Sequence, residues 1–89
     1  MQVFLVKGPV SQWGVIAAEN RADAALQYDA VWLGSDKQND LIRDECDDSI
    51  NNYCERLLTE YEVTELYRAE VLEWVERRLD GDKTITIIL

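Results

Sequence analysis

In residues 2–7, Val3 and Leu5 alternate with Phe4 and Val6, so an extended segment would have apolar side chains on both faces. This pattern is typical of a β-strand. Gly8-Pro9 interrupts this pattern, and apolar positions resume over residues 13–18. Two extended segments joined by a short connection predict a β-hairpin. The connection from Val10 to Gln12 carries no strong turn signal, so the register of the hairpin stays open.

A helical pattern follows from about residue 21 to residue 32. Asn20 is suited to cap its N-terminus, and Asp23 lies in the first turn, where the helix dipole favours a negative charge. Gly34 is placed to end the helix. The apolar run at residues 30–33 would also fit a short strand, but we favour the helix. The predicted core positions are Ala22, Ala25, Leu26, Tyr28 and Val31.

The middle of the chain carries the longest apolar stripe, with members three or four residues apart. These members are Ile42, Cys46, Ile50, Tyr53, Cys54, Leu57 and Tyr61. Ser35 followed by Gln38 matches a capping box, and the stripe continues in phase through residues 47–49. We therefore predict one helix over about residues 36–61. The alternative is a break at Asp47-Asp48-Ser49 that caps a second helix.

Thr64 is predicted to cap a further helix from about Glu65 to Leu79, which Asp80-Gly81-Asp82 would end. Its predicted core stripe consists of Tyr67, Val71, Trp74, Val75 and Leu79. The β-branched segment 84–89 predicts a strand beside the first one. The order β-β-α-α-α-β predicts an α+β fold, with a three-stranded, mainly antiparallel sheet and helices packed on one face. A length of 89 residues predicts one domain, residues 1–89.

The chain is strongly acidic, with 18 Asp and Glu against 9 Lys and Arg and a net charge of −9. The whole imbalance lies within residues 36–76, and no basic cluster is present. Direct binding to nucleic acid or to an anionic membrane is therefore not expected, whereas a basic protein partner is. The alternative is that the negative charge only keeps the protein soluble.

On a helical wheel the acidic residues of the long helix lie opposite its apolar stripe, and those of the last helix lie away from its core positions. Aspartates three and four residues apart oppose helix formation, and this local cost favours a functional role for the acidic face. The predicted partner-binding residues are Asp36, Asp40, Asp44, Asp47, Asp48, Glu55, Glu73 and Glu76.

Catalysis has little support in the sequence, because histidine and a glycine-rich phosphate loop are both lacking. The acidic run at residues 44–48 lacks the glycine of a calcium loop, so neither a metal nor another cofactor is expected. Cys46 and Cys54 would lie ~12 Å apart on one helix, too far for a disulfide. Reduced cysteines and the lack of an apolar run of ~20 residues predict a cytoplasmic protein that does not span a membrane.

Trp13 near the hairpin turn and Trp32 near a helix end are candidates for exposed interface anchors. The remaining aromatic residues on the apolar stripes are predicted to lie in the core.

The small size, the charge of −9 and the acidic helices resemble phage-encoded DNA-mimic inhibitors, which include anti-CRISPR and anti-restriction proteins. The segment from Trp13 to Asn20 (WGVIAAEN), leading into Ala22 to Ala25 (ADAA), is similar to the strand-then-helix start of many small phage proteins. The resemblance implies a bacterial host and a target that is a host nuclease or a CRISPR surveillance complex. The carboxylates would then block access of DNA to a basic groove. The alternatives are an antitoxin or immunity protein that neutralises a basic nuclease, and a homodimeric phage accessory protein.

Overall fold

A computed structural model describes residues 1–9 and 11–89 of the chain. It confirms the α+β class, with four strands and four helices in the described residues. The predicted connection at Val10 lies outside the described residues. The elements in chain order are β1 (Gln2–Lys7), β2 (Trp13–Ala18), α1 (Arg21–Leu33), α2 (Ser35–Glu45), α3 (Ile50–Glu60), β3 (Glu62–Leu66), α4 (Arg68–Leu79) and β4 (Ile85–Ile88).

The predicted hairpin is confirmed, and its register is now defined. β1 and β2 pair antiparallel, with Gln2 opposite Ala18 and Lys7 opposite Trp13. The backbone N–H of Gly8 donates to the carbonyl oxygen of Gln12 at 3.2 Å, which extends the hydrogen bonding of the hairpin beyond Lys7 and Trp13. This hairpin forms the centre of the sheet, because the other two strands pair with its outer edges.

The sheet has four strands in the order β3-β1-β2-β4, one more than the three predicted, and two of its three strand pairs are antiparallel as expected. β3 is antiparallel to β1, whereas β4 is parallel to β2, with Trp13 opposite Ile85. β4 was expected beside the first strand, but β3 occupies that edge. The sheet is therefore mixed.

The missed strand is β3, which contains Thr64 and Glu65, the two residues predicted to begin a helix. The free edge of β1 presents backbone groups that need partners, and residues 62–66 satisfy them as an extended strand. The last helix therefore begins only at Arg68. Glu70 caps it, because its side chain accepts a hydrogen bond from the backbone N–H of Tyr67 at 3.2 Å.

Helices cover both faces of the sheet, and the prediction that they lie on one face was wrong. One face packs against α1, α2 and α3 through Phe4, Val6, Ile16 and Ala18. The opposite face packs against α4, where Val15, Leu66 and Ile85 meet Val71 and Trp74. Successive strand residues point to opposite faces, and both faces of the hairpin are apolar, so both need a cover.

α1 forms as predicted and extends one residue further, to Leu33. The Asn20 side-chain oxygen accepts a hydrogen bond from the backbone N–H of Asp23 at 2.8 Å. Gly34, at φ +86°, ends the helix, and its N–H donates to the Ala30 carbonyl at 2.9 Å. The helical interpretation of residues 30–33 is therefore confirmed over the strand alternative.

The single long helix predicted over residues 36–61 was wrong, because two helices occupy this segment. α2 ends at Glu45 and α3 begins at Ile50. Asp47 and Asp48 have φ values of 52° and 60°, in the left-handed region that a right-handed helix excludes. The Ser49 hydroxyl then accepts from the Asn52 N–H at 3.2 Å and caps α3, as the alternative interpretation had it.

The predicted capping box at Ser35 and Gln38 does not form. Gly34 precedes α2 without a side-chain cap, and the Gln38 side chain is buried. Its amide nitrogen donates to the Leu26 carbonyl at 3.0 Å and to the Asp29 carboxylate at 3.1 Å. Gln38 therefore connects α2 to α1 and does not cap its own helix.

Asp29 of α1 is the one buried carboxylate among the described residues, with 3% of its surface exposed. Besides the bond from Gln38, it accepts hydrogen bonds from the hydroxyls of Tyr53 and, at 2.6 Å, Tyr61. These donors belong to α2, to α3 and to the residue after α3. A buried polar group needs such hydrogen-bond partners, so this cluster fixes how the three helices meet. We name these four residues the Asp29 cluster.

The Asp29 cluster predicts a specific loss of stability on removal of one hydroxyl. Tyr53→Phe should lower the free energy of unfolding by about 1–3 kcal/mol, because a buried carboxylate loses a donor that water cannot replace. Tyr67→Phe is the matched control, since Tyr67 is 71% exposed. Urea denaturation measures both variants. Equal stabilities for the two would contradict a structural role for the cluster.

The same cluster predicts a pH dependence at alkaline pH. Burial and the bond to Asp29 raise the pKa of Tyr53 and of Tyr61 far above the ordinary tyrosine value of about 10. The folded protein therefore keeps protons that the unfolded chain loses, and stability should fall as the pH rises above about 10. In the double variant Tyr53→Phe/Tyr61→Phe the fall should be shallower by up to about 1.4 kcal/mol per pH unit for each phenol. Urea denaturation from about pH 9 to about pH 11 measures the free energy of unfolding of the natural protein and of the double variant. Equal slopes of this free energy against pH would refute the prediction.

Candidate partner-binding surface

Three of the predicted partner-binding residues form a row along α2. Asp36, Asp40 and Asp44 are all exposed and lie four residues apart. In a helix this spacing places them within about 80° of one another, with a rise of ~6 Å from each to the next. Their face is opposite Ile42, which packs against the core, and the buried Gln38.

Part of this row is neutralised by the chain's own arginine. Arg43 contacts Asp40 and Asp44, each at 3.0 Å. The hydrogen bond and the charge of Asp44, followed by the charge of Asp40, raise the pKa of the Arg43 guanidinium. All three side chains are more than half exposed, so these ion pairs contribute little stability and can exchange for another cation.

Asp47 and Asp48 lie in the connector between α2 and α3, not on a helix face. Aspartate tolerates the left-handed conformation better than most residues, which gives both positions a structural reason for their residue type. The prediction that these two aspartates lie within a helix, where they would oppose helix formation, was therefore wrong. The Asp48 N–H donates to the Ile42 carbonyl at 3.1 Å, so the connector is tied to α2.

Glu55 is exposed on α3, two residues from each of the buried side chains Tyr53 and Leu57, so it faces away from the core. The neighbouring Arg56 reaches Glu45 at 3.6 Å and Glu60 at 3.4 Å. These contacts link the end of α2 to α3 and raise the pKa of Arg56, chiefly through its hydrogen bond to Glu60.

The structure divides the eight predicted residues into two groups. Glu73 and Glu76 are exposed on α4, on the opposite side of the sheet from α2 and α3. They therefore do not share a surface with the others. The remaining six residues lie on α2, the connector and α3, and we call them the α2–α3 acidic surface: Asp36, Asp40, Asp44, Asp47, Asp48 and Glu55.

Of the two tryptophans considered as anchors, only Trp32 is substantially exposed, at 47%. Trp13 is half-buried, with its ring centroid 5.1 Å from that of Trp74 and the Lys7 ammonium 5.2 Å from its ring. Its interactions are therefore largely internal. Trp32 instead borders a small pocket between the hairpin turn and the ends of α1 and α3.

Sequence patterns did not predict this aromatic pocket. It has a volume of about 150 Å³ and is lined by Gly8, Pro9, Tyr28, Trp32 and Tyr61. Tyr28 and Trp32 are four residues apart on α1, and this spacing was an available signal. Tyr61 was assigned to the core, and its approach to Tyr28 depends on the bend between α2 and α3, which was only the less favoured alternative for this segment.

Other chemistry is limited in residues 1–9 and 11–89. No three cysteine or acidic side chains converge to hold a metal ion there. Both cysteines are free, with Cys46 buried after α2 and Cys54 half-buried on α3, where burial raises the pKa of its thiol. None of the described helices combines the length and the apolar character needed to cross a bilayer.

Comparison with known proteins identifies no relative of this chain. No protein family, curated protein or solved structure gives a significant match to this chain.

The connector predicts an unusual order of stabilities. Asp48→Gly should be at least as stable as the natural protein, whereas Asp48→Ala should lose about 1 kcal/mol, because only glycine adopts a left-handed conformation freely. Glu73 in the middle of α4 is the matched control, where Ala should exceed Gly by about 1 kcal/mol. Urea denaturation gives all four values. The same order at both sites would mean that Asp48 lies within a continuous helix.

Proposed function

We propose that the protein is a non-enzymatic inhibitor that covers a basic, nucleic-acid-binding surface of a host defence complex with its α2–α3 acidic surface. One observation carries this proposal. Among the described residues, Asp36, Asp47, Asp48 and Glu55 are exposed and have no lysine or arginine nitrogen within 4.0 Å. Carboxylates without their own counter-charge attract cationic surfaces and speed the encounter with them.

The bend between α2 and α3 changes the form that such an inhibitor takes. Only Asp36, Asp40 and Asp44 form a row, and it extends ~12 Å along α2. Asp47, Asp48 and Glu55 continue the charge on the connector and on the next helix. The proposed contact is therefore a short acidic row on α2 together with carboxylates on the connector and α3, which competes with a short stretch of phosphates, in place of the six-membered file expected from the sequence.

The shortness of this row also fits a second candidate, an immunity or antitoxin protein that neutralises a small basic nuclease. A row of ~12 Å on α2 does not need a long groove, so a small basic protein would be large enough to cover it. The two candidates share the same electrostatics and differ in the target. A host defence complex would be large and would bind duplex DNA in competition with this protein, whereas a toxin would form a tight complex of two small proteins.

The proposal predicts that charge at defined positions determines affinity. The triple variant Asp36→Asn/Asp47→Asn/Asp48→Asn should bind the partner at least tenfold more weakly, which corresponds to about 1.4 kcal/mol. Asparagine tolerates the left-handed conformation, so the connector should remain folded. The matched control is Glu62→Gln/Glu73→Gln/Glu76→Gln, which removes the same number of charges from exposed positions outside the α2–α3 acidic surface.

The partner is first isolated by affinity capture from a bacterial host lysate and identified by mass spectrometry. Binding of each variant is then measured by calorimetry at two salt concentrations, with and without duplex DNA as a competitor. Weakening confined to the first triple variant, together with displacement by DNA, supports the DNA-competing inhibitor. A tight complex with a small nuclease supports the second candidate, and equal binding by both variants would overturn the proposed surface.

A further inference from the structure

The aromatic pocket has the form of a cage for a cation. The Tyr28 ring forms its buried floor, with 2% of the residue exposed, while Trp32 is 47% exposed at its rim. The Tyr28 and Tyr61 ring centroids are 5.6 Å apart with planes at 86°, and those of Tyr28 and Trp32 are 6.1 Å apart at 58°. Three rings inclined to one another line one small space, which is the arrangement that aromatic cages use to surround a cation.

The shape of this floor is built into the hairpin. A side chain at Gly14 would place its Cβ 2.3 Å from the Tyr28 ring, and one at Gly8 would lie 3.2 Å from the Tyr28 hydroxyl. The two glycines therefore leave the space that the Tyr28 ring occupies against β2 and the hairpin turn. The position of Tyr28 in the pocket therefore depends on the absence of side chains at Gly8 and Gly14.

The electrostatic surroundings of the pocket are negative. The Tyr61 hydroxyl donates to the Asp29 carboxylate at 2.6 Å, so a carboxylate lies directly beside one wall of the pocket. Burial, Asp29 and the charge of Glu60 together raise the pKa of Tyr61. Negative charges beside the rings add to the attraction that the ring faces exert on a cation.

Two cationic side chains of the protein contact aromatic rings outside the pocket. The Lys7 ammonium lies 5.2 Å from the Trp13 ring, and the Arg77 guanidinium lies 4.3 Å from the Trp74 ring. Both of these tryptophans belong to the cluster on the α4 side of the sheet. The described residues that line the pocket, by contrast, include no lysine or arginine.

We propose that the aromatic pocket binds the guanidinium group of an arginine side chain from the protein partner. A volume of about 150 Å³ is below the ~300 Å³ at which pockets for whole small molecules begin, so it suits one side-chain group. A guanidinium is planar and weakly hydrated, and it stacks on aromatic faces more readily than an ammonium does. The source of the arginine rests on the proposed function, because a basic partner supplies it.

The test uses the isolated protein and two capped tripeptides, glycyl-arginyl-glycine and its citrulline analogue, which keeps the side-chain shape but lacks the charge. Nuclear magnetic resonance follows the Trp32 indole N–H and the Gly8 amide at physiological salt. The arginine peptide should cause saturable shifts at both positions and bind roughly tenfold more tightly than the citrulline peptide. Equal binding, or no saturable shift, would overturn the proposal.

Three controls locate the binding. Trp32→Ala should weaken arginine binding at least about fivefold, read from the Gly8 amide, whereas Leu72→Ala, an exposed apolar residue on α4, should not change it. The variant Asp36→Asn/Asp47→Asn/Asp48→Asn should still bind the peptide at the pocket. Loss of binding in this variant would mean that the acidic surface, and not the pocket, holds the arginine.

A final arm uses choline in place of the peptides. Shifts with choline but none with the arginine peptide would assign the pocket to a free quaternary ammonium compound and overturn the arginine proposal. Failure at the pocket is distinguishable from failure of the proposed function, because partner binding by the acidic surface is measured separately and with different variants.

Discussion

The hydrogen bonds to the Asp29 carboxylate are the interaction on which the helical layer depends. Gln38, Tyr53 and Tyr61 come from three successive parts of the chain and meet on one buried group of α1. A carboxyl group away from water is costly to bury unless its oxygens are hydrogen-bonded, so a shift of any one of these helices would leave buried polar atoms without partners. The bend after α2 is thereby fixed, because it brings Gln38 and Tyr53 to the same carboxylate from two directions.

The sequence predicted the parts of the fold that depend on local rules. The hairpin, the cap at Asn20, the end of α1 at Gly34 and the last strand all follow from residue type and spacing. Its errors arose where distant contacts decide the outcome. Thr64 and Glu65 were predicted to cap and begin a helix, but residues 62–66 form a strand because β1 offers an unpaired edge.

The break between α2 and α3 shows a different limit. An apolar stripe that stays in phase across Cys46 and Ile50 is compatible with one helix, and periodicity alone does not reveal two left-handed residues between them. Of the candidate site, the exposure of all eight acidic residues follows from the sequence, but their division between two sides of the sheet does not. The aromatic pocket depends on the tertiary approach of Tyr61 to α1, for which no local pattern exists.

The strand order β3-β1-β2-β4 has a consequence for how the chain reaches this structure. The central hairpin forms from neighbouring residues, but both outer strands come from the last third of the chain and close long loops. The β2–β4 pair joins Trp13 to Ile85 across nearly the whole sequence. Contacts between residues so far apart in the sequence raise the contact order, which slows folding. During synthesis the hairpin and α1 therefore emerge long before their final neighbours, and until β4 arrives one edge of β2 stays open to other extended chains.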